Sequence, residues 1–230
     1  MSGAFEHPAG PAAEGPVPNV YFDARFGVYA AKILPGEYYV SSRDMVLVTV
    51  LGSCVAACVR DTATGIGGMN HFMLPQSGED AKNLCTSSAR YGIYAMELLI
   101  NELLKRGARR DRLEVKVFGG GNVLPGMTQA RVGERNAEFV LDYVERERLN
   151  LAAADLLDDY ARKIYFFPRT GKVLVKKLRS LPNDTVLKRE YDYRQRLQRT
   201  RLAGSVELFE ERPCNPSKCW GSTIRPSSAG

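Results

Sequence analysis

The sequence predicts a layered α/β sandwich and not a doubly wound sheet, because two amphipathic helices are separated by runs of strands. The chain has 230 residues, of which 44% are hydrophobic and 25% charged, as expected for one folded domain with tails. It contains no apolar run of the length that a membrane span requires. The N-terminus also lacks the basic and apolar segments of a secretory signal, so we expect a cytoplasmic protein.

The predicted strands are runs of apolar and β-branched residues bounded by turn formers. They cover residues 38–40, 45–50, 54–59, 67–74, 113–118, 164–167 and 172–178, and the last two form a hairpin through residues 168–171.

Two helices are predicted from apolar residues at helical spacing. The first covers residues 87–106, with Leu99 and Leu103 on its apolar stripe, and Gly107 ends it. The second covers residues 133–148, and its buried side carries Phe139, Val140, Tyr143 and Val144. A third, charged helix is expected at residues 184–198, with Tyr191, Tyr193 and Leu197 as candidate docking residues.

The chain divides into four predicted segments. Residues 1–18 form a flexible leader rich in Pro and Gly, 19–181 the folded catalytic domain, 182–202 the charged helix and 203–230 an irregular tail. In the tail, Cys214 and Cys219 flank a short segment beside Trp220 that would bind a metal or a partner, or simply be disordered, and we favour disorder. The uneven set of five cysteines indicates reduced thiols of a cytosolic protein.

The candidate catalytic residues are Cys54, which follows a tight turn, and His71, which lies on the next predicted strand. Turn formers between the two strands predict a hairpin with its tip at residues 62 and 63. Residues whose numbers sum to 125 would then face each other, as Cys54 and His71 do, with Cβ atoms about 4.5–5.5 Å apart. A bulge at Gly65 that slipped this register by one residue would put the two side chains on opposite faces.

A Cys–His pair is typical of thiol hydrolases, because a neighbouring imidazolium lowers the thiol pKa and the thiolate is the nucleophile. The preceding turn, Gly52-Ser53, would aim backbone N–H groups at a developing oxyanion. The simpler alternative is that Cys54 packs in the core and that His71 is structural. Cys58 has no preceding turn, and we assign it to the core. The residues alone leave both interpretations of Cys54 open.

The order of several motifs resembles the CheD family, the chemoreceptor glutamine deamidases of bacterial chemotaxis. The matching segments are residues 51–55, 68–75, 90–92, 117–122, 133–136 and 170–173, and the resemblance covers about residues 25–180. It implies a three-layer α/β/β sandwich, to which the composition of the terminal segments adds flexible N- and C-terminal tails. It also implies hydrolysis of receptor glutamine side chains to glutamate and ammonia through a thioester.

The resemblance implies roles for individual residues. Cys54 matches the family nucleophile, His71 the general base, and Thr49 the threonine that orients the imidazole, although some members carry that threonine where this chain has Val48. We expect Gly52 and Ser53 to form the oxyanion turn. We place Asn70, Gly119 and Gly120 at the rim of the active site. The family often has a glycine pair near residue 157, where this chain has Leu157-Asp158-Asp159.

The expected partners are methyl-accepting chemotaxis receptors, through their cytoplasmic helical domain, and a CheC-like regulator. Two alternatives stay open: a non-catalytic adaptor of the same fold, and a thiol esterase acting on receptor glutamyl methyl esters. No metal or organic cofactor is expected, since a zinc site needs several Cys and His ligands at close spacing.

The net charge of +6 comes with no nucleic-acid-binding motif. We therefore interpret it as solvated helix faces and strand edges. A basic surface of this kind would also favour docking on an acidic receptor or near anionic lipid, peripheral to the membrane at most.

Overall fold

The structure, a computed structural model, describes residues 19–75, 87–123, 132–178 and 184–199. The predicted leader and tail lie outside the described residues, as do Cys85, Cys214 and Cys219. The strands are β1 (Asn19–Asp23), β2 (Val28–Lys32), β3 (Tyr38–Ser41), β4 (Met45–Leu51), β5 (Val55–Asp61), β6 (Gly67–Asn70), β7 (Leu113–Gly119), β8 (Asn150–Leu156), β9 (Ala161–Phe167) and β10 (Lys172–Leu178). The helices are α1 (Ser87–Lys105), α2 (Val132–Arg146) and α3 (Asp184–Arg199), and Arg110–Arg112 forms a short 3-10 turn.

The strands form two five-stranded sheets. Sheet A has the order β1-β2-β4-β9-β10, and sheet B has the order β3-β6-β5-β7-β8. Pairing is antiparallel except between β2 and β4 and between β7 and β8, which are parallel. The predicted strand at residues 67–74 is shorter than expected, since β6 ends at Asn70 and only an isolated bridge joins Val55 to Phe72.

Two hydrophobic layers connect the helices and the two sheets, and a smaller third cluster lies on the other face of sheet A. One joins α1 and α2 to sheet B and includes Leu99, Leu103, Phe139 and Val140. The second fills the space between the sheets, with Leu47, Leu51, Ile164 and Phe166 from sheet A and Ala56, Cys58, Met69 and Phe118 from sheet B. The predicted three-layer α/β/β sandwich is therefore confirmed. Cys58 is buried in the inter-sheet layer, as expected of a core residue.

The register of the β5–β6 hairpin differs from the prediction. Cys58 pairs with Met69 and Val59 with Gly68, so facing residues have numbers that sum to 127, not 125. The turn has four residues because Gly65 adopts a left-handed conformation with φ +71. The buried carboxylate of Asp61 accepts hydrogen bonds from the backbone N–H groups of residues 63 and 64, at 2.8 and 3.0 Å.

The observed register changes the residue opposite His71 but not the face of the sheet towards which His71 points. His71 follows Asn70 at the end of β6, and the observed register places it opposite Ala56 instead of Cys54. The difference is two residues, and side chains alternate with period two along a strand. Cys54 and His71 therefore still face the same layer, the one between the two sheets.

None of the described helices is long and apolar enough to cross a lipid bilayer.

Candidate active site

Cys54 lies in a three-residue crossing from sheet A to sheet B. β4 ends at Leu51 and β5 begins at Val55, so Gly52, Ser53 and Cys54 make the crossing. The Cys54 side chain is fully buried between the sheets.

The carbonyl groups of this crossing are all held by hydrogen bonds. The backbone N–H of Gly121 donates to the Gly52 carbonyl at 2.7 Å, and that of Gly120 donates to the Cys54 carbonyl at 2.8 Å. The side-chain amide of Asn136 donates to the Ser53 carbonyl at 2.8 Å. With its carbonyls fixed, the crossing is free to present its N–H groups to a common point.

The N–H groups of the crossing converge on one carboxylate, that of Glu190 on α3. Glu190 accepts hydrogen bonds from the backbone N–H of Gly52 at 2.9 Å, of Ser53 at 3.0 Å and of Cys54 at 3.1 Å. The Ser53 hydroxyl donates a fourth, at 2.8 Å. We call Gly52, Ser53 and Cys54 with these donors the amide cradle. The N–H groups of Gly52 and Cys54 meet at one oxygen, Oε1, whereas both donors of Ser53 meet at Oε2. Two N–H donors around one oxygen position are the arrangement that stabilises an oxyanion.

Thr49 on sheet A fixes the tautomer of His71. Its hydroxyl lies 2.8 Å from Nδ1 of His71 and donates to the carbonyl of Ile33, also at 2.8 Å. A hydroxyl has one proton, so an oxygen that donates to Ile33 must accept the Nδ1–H of His71. Nε2 therefore carries the lone pair, and this buried atom has no hydrogen-bond partner among the described residues. Val48, the alternative position, packs on the other face of sheet A.

Both titratable groups are neutral in this conformation. Burial raises the pKa of the Cys54 thiol well above its usual value, and the negative charge of Glu190, to which the thiol also donates, raises it further. Burial lowers the pKa of His71 to about 4. The arrangement shown therefore holds a thiol and an uncharged imidazole and not an ion pair.

A pocket of about 310 Å³ opens beside these residues. Thr49, His71 and Glu190 contribute to its wall, and so do the basic residues Lys32, Lys163 and Arg189. Within the described ranges, no group of three or more His, Cys, Asp or Glu side chains is arranged to hold a metal ion.

Comparisons with known proteins identify the family. The family model described as "CheD chemotactic sensory transduction" matches residues 73–177. A protein of Janthinobacterium sp. (strain Marseille), named "Probable chemoreceptor glutamine deamidase CheD", is 61% identical over 191 residues, which is 83% of this chain and 94% of that protein. A protein of Methylobacillus flagellatus with the same name is 58% identical over 202 residues, which is 87% of this chain and all of that protein. The chain belongs to the CheD family.

The CheD fold brings most of the predicted site residues to one place. Thr49 contacts His71, and Gly52, Ser53 and Cys54 form the amide cradle. The Gly119–Gly121 turn packs directly behind the cradle, where a Cβ atom on Gly119 would lie 2.1 Å from the Cys54 carbonyl oxygen.

Asn70 does not join this group. Its side-chain oxygen accepts the backbone N–H of Ala57 at 2.9 Å, and its nitrogen donates to the carbonyl of Ala95 in α1 at 3.1 Å. It therefore lies on the helical side of sheet B, whereas His71 faces sheet A. The placement of Asn70 at the active-site rim was wrong, because adjacent residues on an extended segment point to opposite faces.

Two residues that contact the amide cradle were missed by sequence reasoning. Asn136 supports the cradle from α2 and also accepts the backbone N–H of Leu74 at 2.9 Å. Its place in the motif at residues 133–136 was the available signal. Glu190 had no local signal, since it is one of many charged residues in its helix. Of the docking residues predicted there, Tyr193 and Leu197 pack against the inter-sheet layer, whereas Tyr191 is 56% exposed.

The turn at residues 157 and 158 replaces the glycine pair common in CheD proteins. Leu157 and Asp158 adopt left-handed conformations, with φ of 69 and 72, which L residues other than glycine rarely take. The buried guanidinium of Arg162 holds this turn by donating to the carbonyls of Asp155 and Leu157. The sequence departs from the family here, but the backbone keeps a glycine-like conformation.

Proposed function

We propose that this chain is a chemoreceptor glutamine deamidase, which hydrolyses the side-chain amide of glutamines in methyl-accepting chemotaxis receptors to glutamate and ammonia. Its relatives carry this name and are covered over nearly their whole length. The single observation that carries the proposal is the convergence of two backbone N–H groups, those of Gly52 and Cys54, on one oxygen position of the cradle. An amide carbonyl bound there would have its oxygen in the cradle and its carbon next to sulfur.

In the proposed reaction, Nε2 of His71 takes the proton of the Cys54 thiol. The thiolate attacks the carboxamide carbon, a C–S bond forms, and the carbonyl π electrons move to the oxygen held by the cradle. When the tetrahedral intermediate collapses, the C–N bond breaks and the imidazolium gives its proton to the departing ammonia. Water, deprotonated by Nε2, then attacks the thioester, which releases glutamate and restores the thiol.

The orientation of His71 supports this role for the imidazole. Its Nδ1–H is engaged by Thr49, which leaves the lone pair of Nε2 available for the proton of the thiol. Burial lowers the pKa of His71 to about 4, so the imidazole is neutral at neutral pH and its Nε2 lone pair is not protonated beforehand. The same burial disfavours the imidazolium, so the proton transfer requires a less buried site than the one shown. Thr49 is thus proposed as a positioning residue, and Cys54 and His71 as catalytic residues.

The test is the intact mass of a glutamine-bearing receptor cytoplasmic domain after incubation with the protein. We expect a gain of about 1 Da per modified site with wild type and none with Cys54→Ala, since the thiol is the nucleophile. Cys58→Ala is the matched control, because Cys58 is equally buried in the same layer and should be dispensable. A gain that persists in Cys54→Ala would disprove the assignment of the nucleophile.

The same assay separates the alternatives. Receptor methylated at glutamate should lose about 14 Da per site if the protein is instead an esterase, because the thioester route also serves esters. Binding of receptor without any mass change would indicate an adaptor. We further propose a cytoplasmic location from the family resemblance.

The resemblance also leads us to propose a CheC-like regulator, and co-purification with a tagged form of this protein would detect it.

A further inference from the structure

Glu190 does more than anchor α3, because its carboxylate also fills the amide cradle. An oxyanion and a carboxylate cannot occupy the amide cradle together, because an oxyanion needs the N–H groups of Gly52 and Cys54, and both already donate to Oε1 of Glu190. The proposed reaction therefore cannot proceed while Glu190 is bound. Glu190 also adds negative charge beside the thiol, which disfavours the thiolate that the reaction requires.

A glutamate side chain on a helix is the chemical product of the proposed reaction. α3 presents such a side chain to the cradle, with only 5% of Glu190 exposed. The same face of the helix carries Tyr193 and Leu197, three and seven positions further on, and both pack against the inter-sheet layer. Spacings of three and seven residues place side chains on one helix face.

Three further contacts locate the groove in which α3 lies. The Tyr193 hydroxyl is 2.5 Å from the hydroxyl of Tyr91 in α1. A Cβ atom on Gly36 would lie 2.9 Å from the Tyr193 ring, so the tyrosine rests directly on the backbone there. A Cβ atom on Gly52 would likewise lie 2.8 Å from Oε1 of Glu190. The absence of a side chain at both glycines lets the helix approach closely.

We propose that α3 occupies the substrate groove as an internal mimic of the product, with Glu190 in the position of the receptor glutamate, and that a receptor helix must displace it. This inference rests on the proposed function and identifies its docking surface. The groove then accepts a helix that carries a glutamine, with apolar side chains three and seven residues further on. Because receptor binds only protein from which α3 has left the groove, its apparent affinity is the intrinsic affinity multiplied by the fraction of protein that is open.

The first experiment measures alkylation of Cys54 by iodoacetamide, located by peptide mass, in the full chain. Glu190→Ala removes four hydrogen bonds that hold the helix and the negative charge beside the thiol. We expect alkylation to be faster by about tenfold or more, since reactivity follows access and thiolate fraction. Asp192→Ala is the matched control, because Asp192 lies on the exposed face of the same helix and should leave the rate unchanged. Equal rates in both variants would overturn the proposal.

Receptor deamidation distinguishes this inference from the proposed function. We expect Glu190→Ala to lower the KM for receptor several-fold without lowering kcat. If both proteins deamidate receptor with equal KM, Glu190 does not compete with substrate and the mimic is disproved while the deamidase stands. If Glu190→Ala abolishes deamidation, Glu190 belongs to the catalytic machinery, which also overturns the mimic. If alkylation accelerates but neither protein deamidates receptor, the groove is occupied as proposed and the deamidase assignment fails.

A second variant makes the helix its own substrate. Glu190→Gln places a carboxamide in the cradle, and the expected product of attack by Cys54 is glutamate at the same position. The purified variant should then have the mass of wild type, about 1 Da above the mass that its sequence gives. The same substitution combined with Cys54→Ala should keep the mass that its own sequence gives, because the nucleophile is missing. If the single variant also keeps the mass that its sequence gives while wild type deamidates receptor, Glu190 does not lie in the product position.

Discussion

The Thr49 hydroxyl lies 2.8 Å from Nδ1 of His71 and 2.8 Å from the carbonyl of Ile33, which it bridges. Thr49 belongs to sheet A, whereas His71 follows a strand of sheet B. One hydrogen bond thus connects the two sheets at the site and sets which nitrogen of the imidazole can accept a proton.

Replacing this hydroxyl should impair the reaction without changing substrate binding. Thr49→Val keeps the shape but removes the hydroxyl that accepts the Nδ1–H and donates to the Ile33 carbonyl. We expect kcat for receptor deamidation to fall about 10- to 100-fold, from the loss of about 1–3 kcal/mol of hydrogen bonding. KM should stay near wild type, and Thr49→Ser should recover most of kcat. If the serine variant is as slow as the valine variant, the role of Thr49 is packing and not orientation.

The low pKa of His71 predicts a loss of stability in mild acid. His71 has a pKa of about 4 in the folded protein and 6.5 as its ordinary value, so the unfolded chain binds more protons between these limits. The free energy of unfolding should therefore be fully maintained above pH 6.5 and should decrease by about 2 kcal/mol on going to pH 5. Urea unfolding at pH 7 and pH 5 measures this difference.

His71→Asn is the control for this pH dependence, since it removes the titrating group. Its free energy of unfolding should change less between pH 7 and pH 5 than that of wild type. Hydrogen bonds from backbone N–H groups and the charge of Arg112 lower the pKa of Asp61 to about 2. Asp61 therefore affects the free energy of unfolding only at lower pH. An equal pH dependence in both proteins would show that His71 is not responsible.

Gly119 and Gly107 allow a test of close packing behind the cradle. Both have left-handed backbones, with φ of +113 and +97, but a Cβ atom on Gly107 meets nothing within 4 Å. Gly107→Ala should cost about 1–2 kcal/mol of conformational strain. Gly119→Ala should cost more than about 4 kcal/mol or prevent folding, because the methyl group would overlap the Cys54 carbonyl. Equal losses in urea unfolding would argue against the close approach.

The turn at Leu157 should be improved by glycine. Leu157 is 44% exposed and has φ 69, so Leu157→Gly relieves strain and removes little packing. We expect the free energy of unfolding to rise by about 1 kcal/mol. Leu151→Gly, at a site 40% exposed within β8, should instead lower it by about 1 kcal/mol. If both substitutions destabilise equally in thermal unfolding, Leu157 contributes more by packing than it costs in strain.

Elements with a strong local pattern were predictable from the sequence. The apolar stripes of α1 and α2, the β-branched run of β4 and the turn between β9 and β10 are all encoded within short windows. β8 was missed because Asn150–Leu156 is an alanine-rich, largely exposed edge strand that pairs in parallel with β7. β1 and β2 were also missed, since each has only five residues, and β1 is the exposed edge strand of sheet A.

Long-range features of the site were less predictable. Cys54, His71 and Thr49 were found through a motif, but the assumed hairpin register differed from the observed one because of the backbone at Gly65. Glu190 reaches the cradle from a helix that is distant in sequence, and neither spacing nor composition connects them. Such contacts depend on tertiary packing, which a local pattern does not encode.

The strand pairing of sheet A bears on the order in which the site is assembled during synthesis. β4 pairs on one side with β9, so that Leu47 faces Phe166, whereas the strands of sheet B lie between Tyr38 and Leu156. The pairing of β4 with β9 joins segments that are far apart in the sequence, and such pairing is slow. A chain leaving the ribosome can therefore complete sheet B first. A nascent chain that ends before β9 therefore carries Cys54 and His71 on a formed sheet while the strand bearing Thr49 still lacks one of its neighbours. Among the strand pairings around the candidate site, the one that supports the imidazole is thus the last to form.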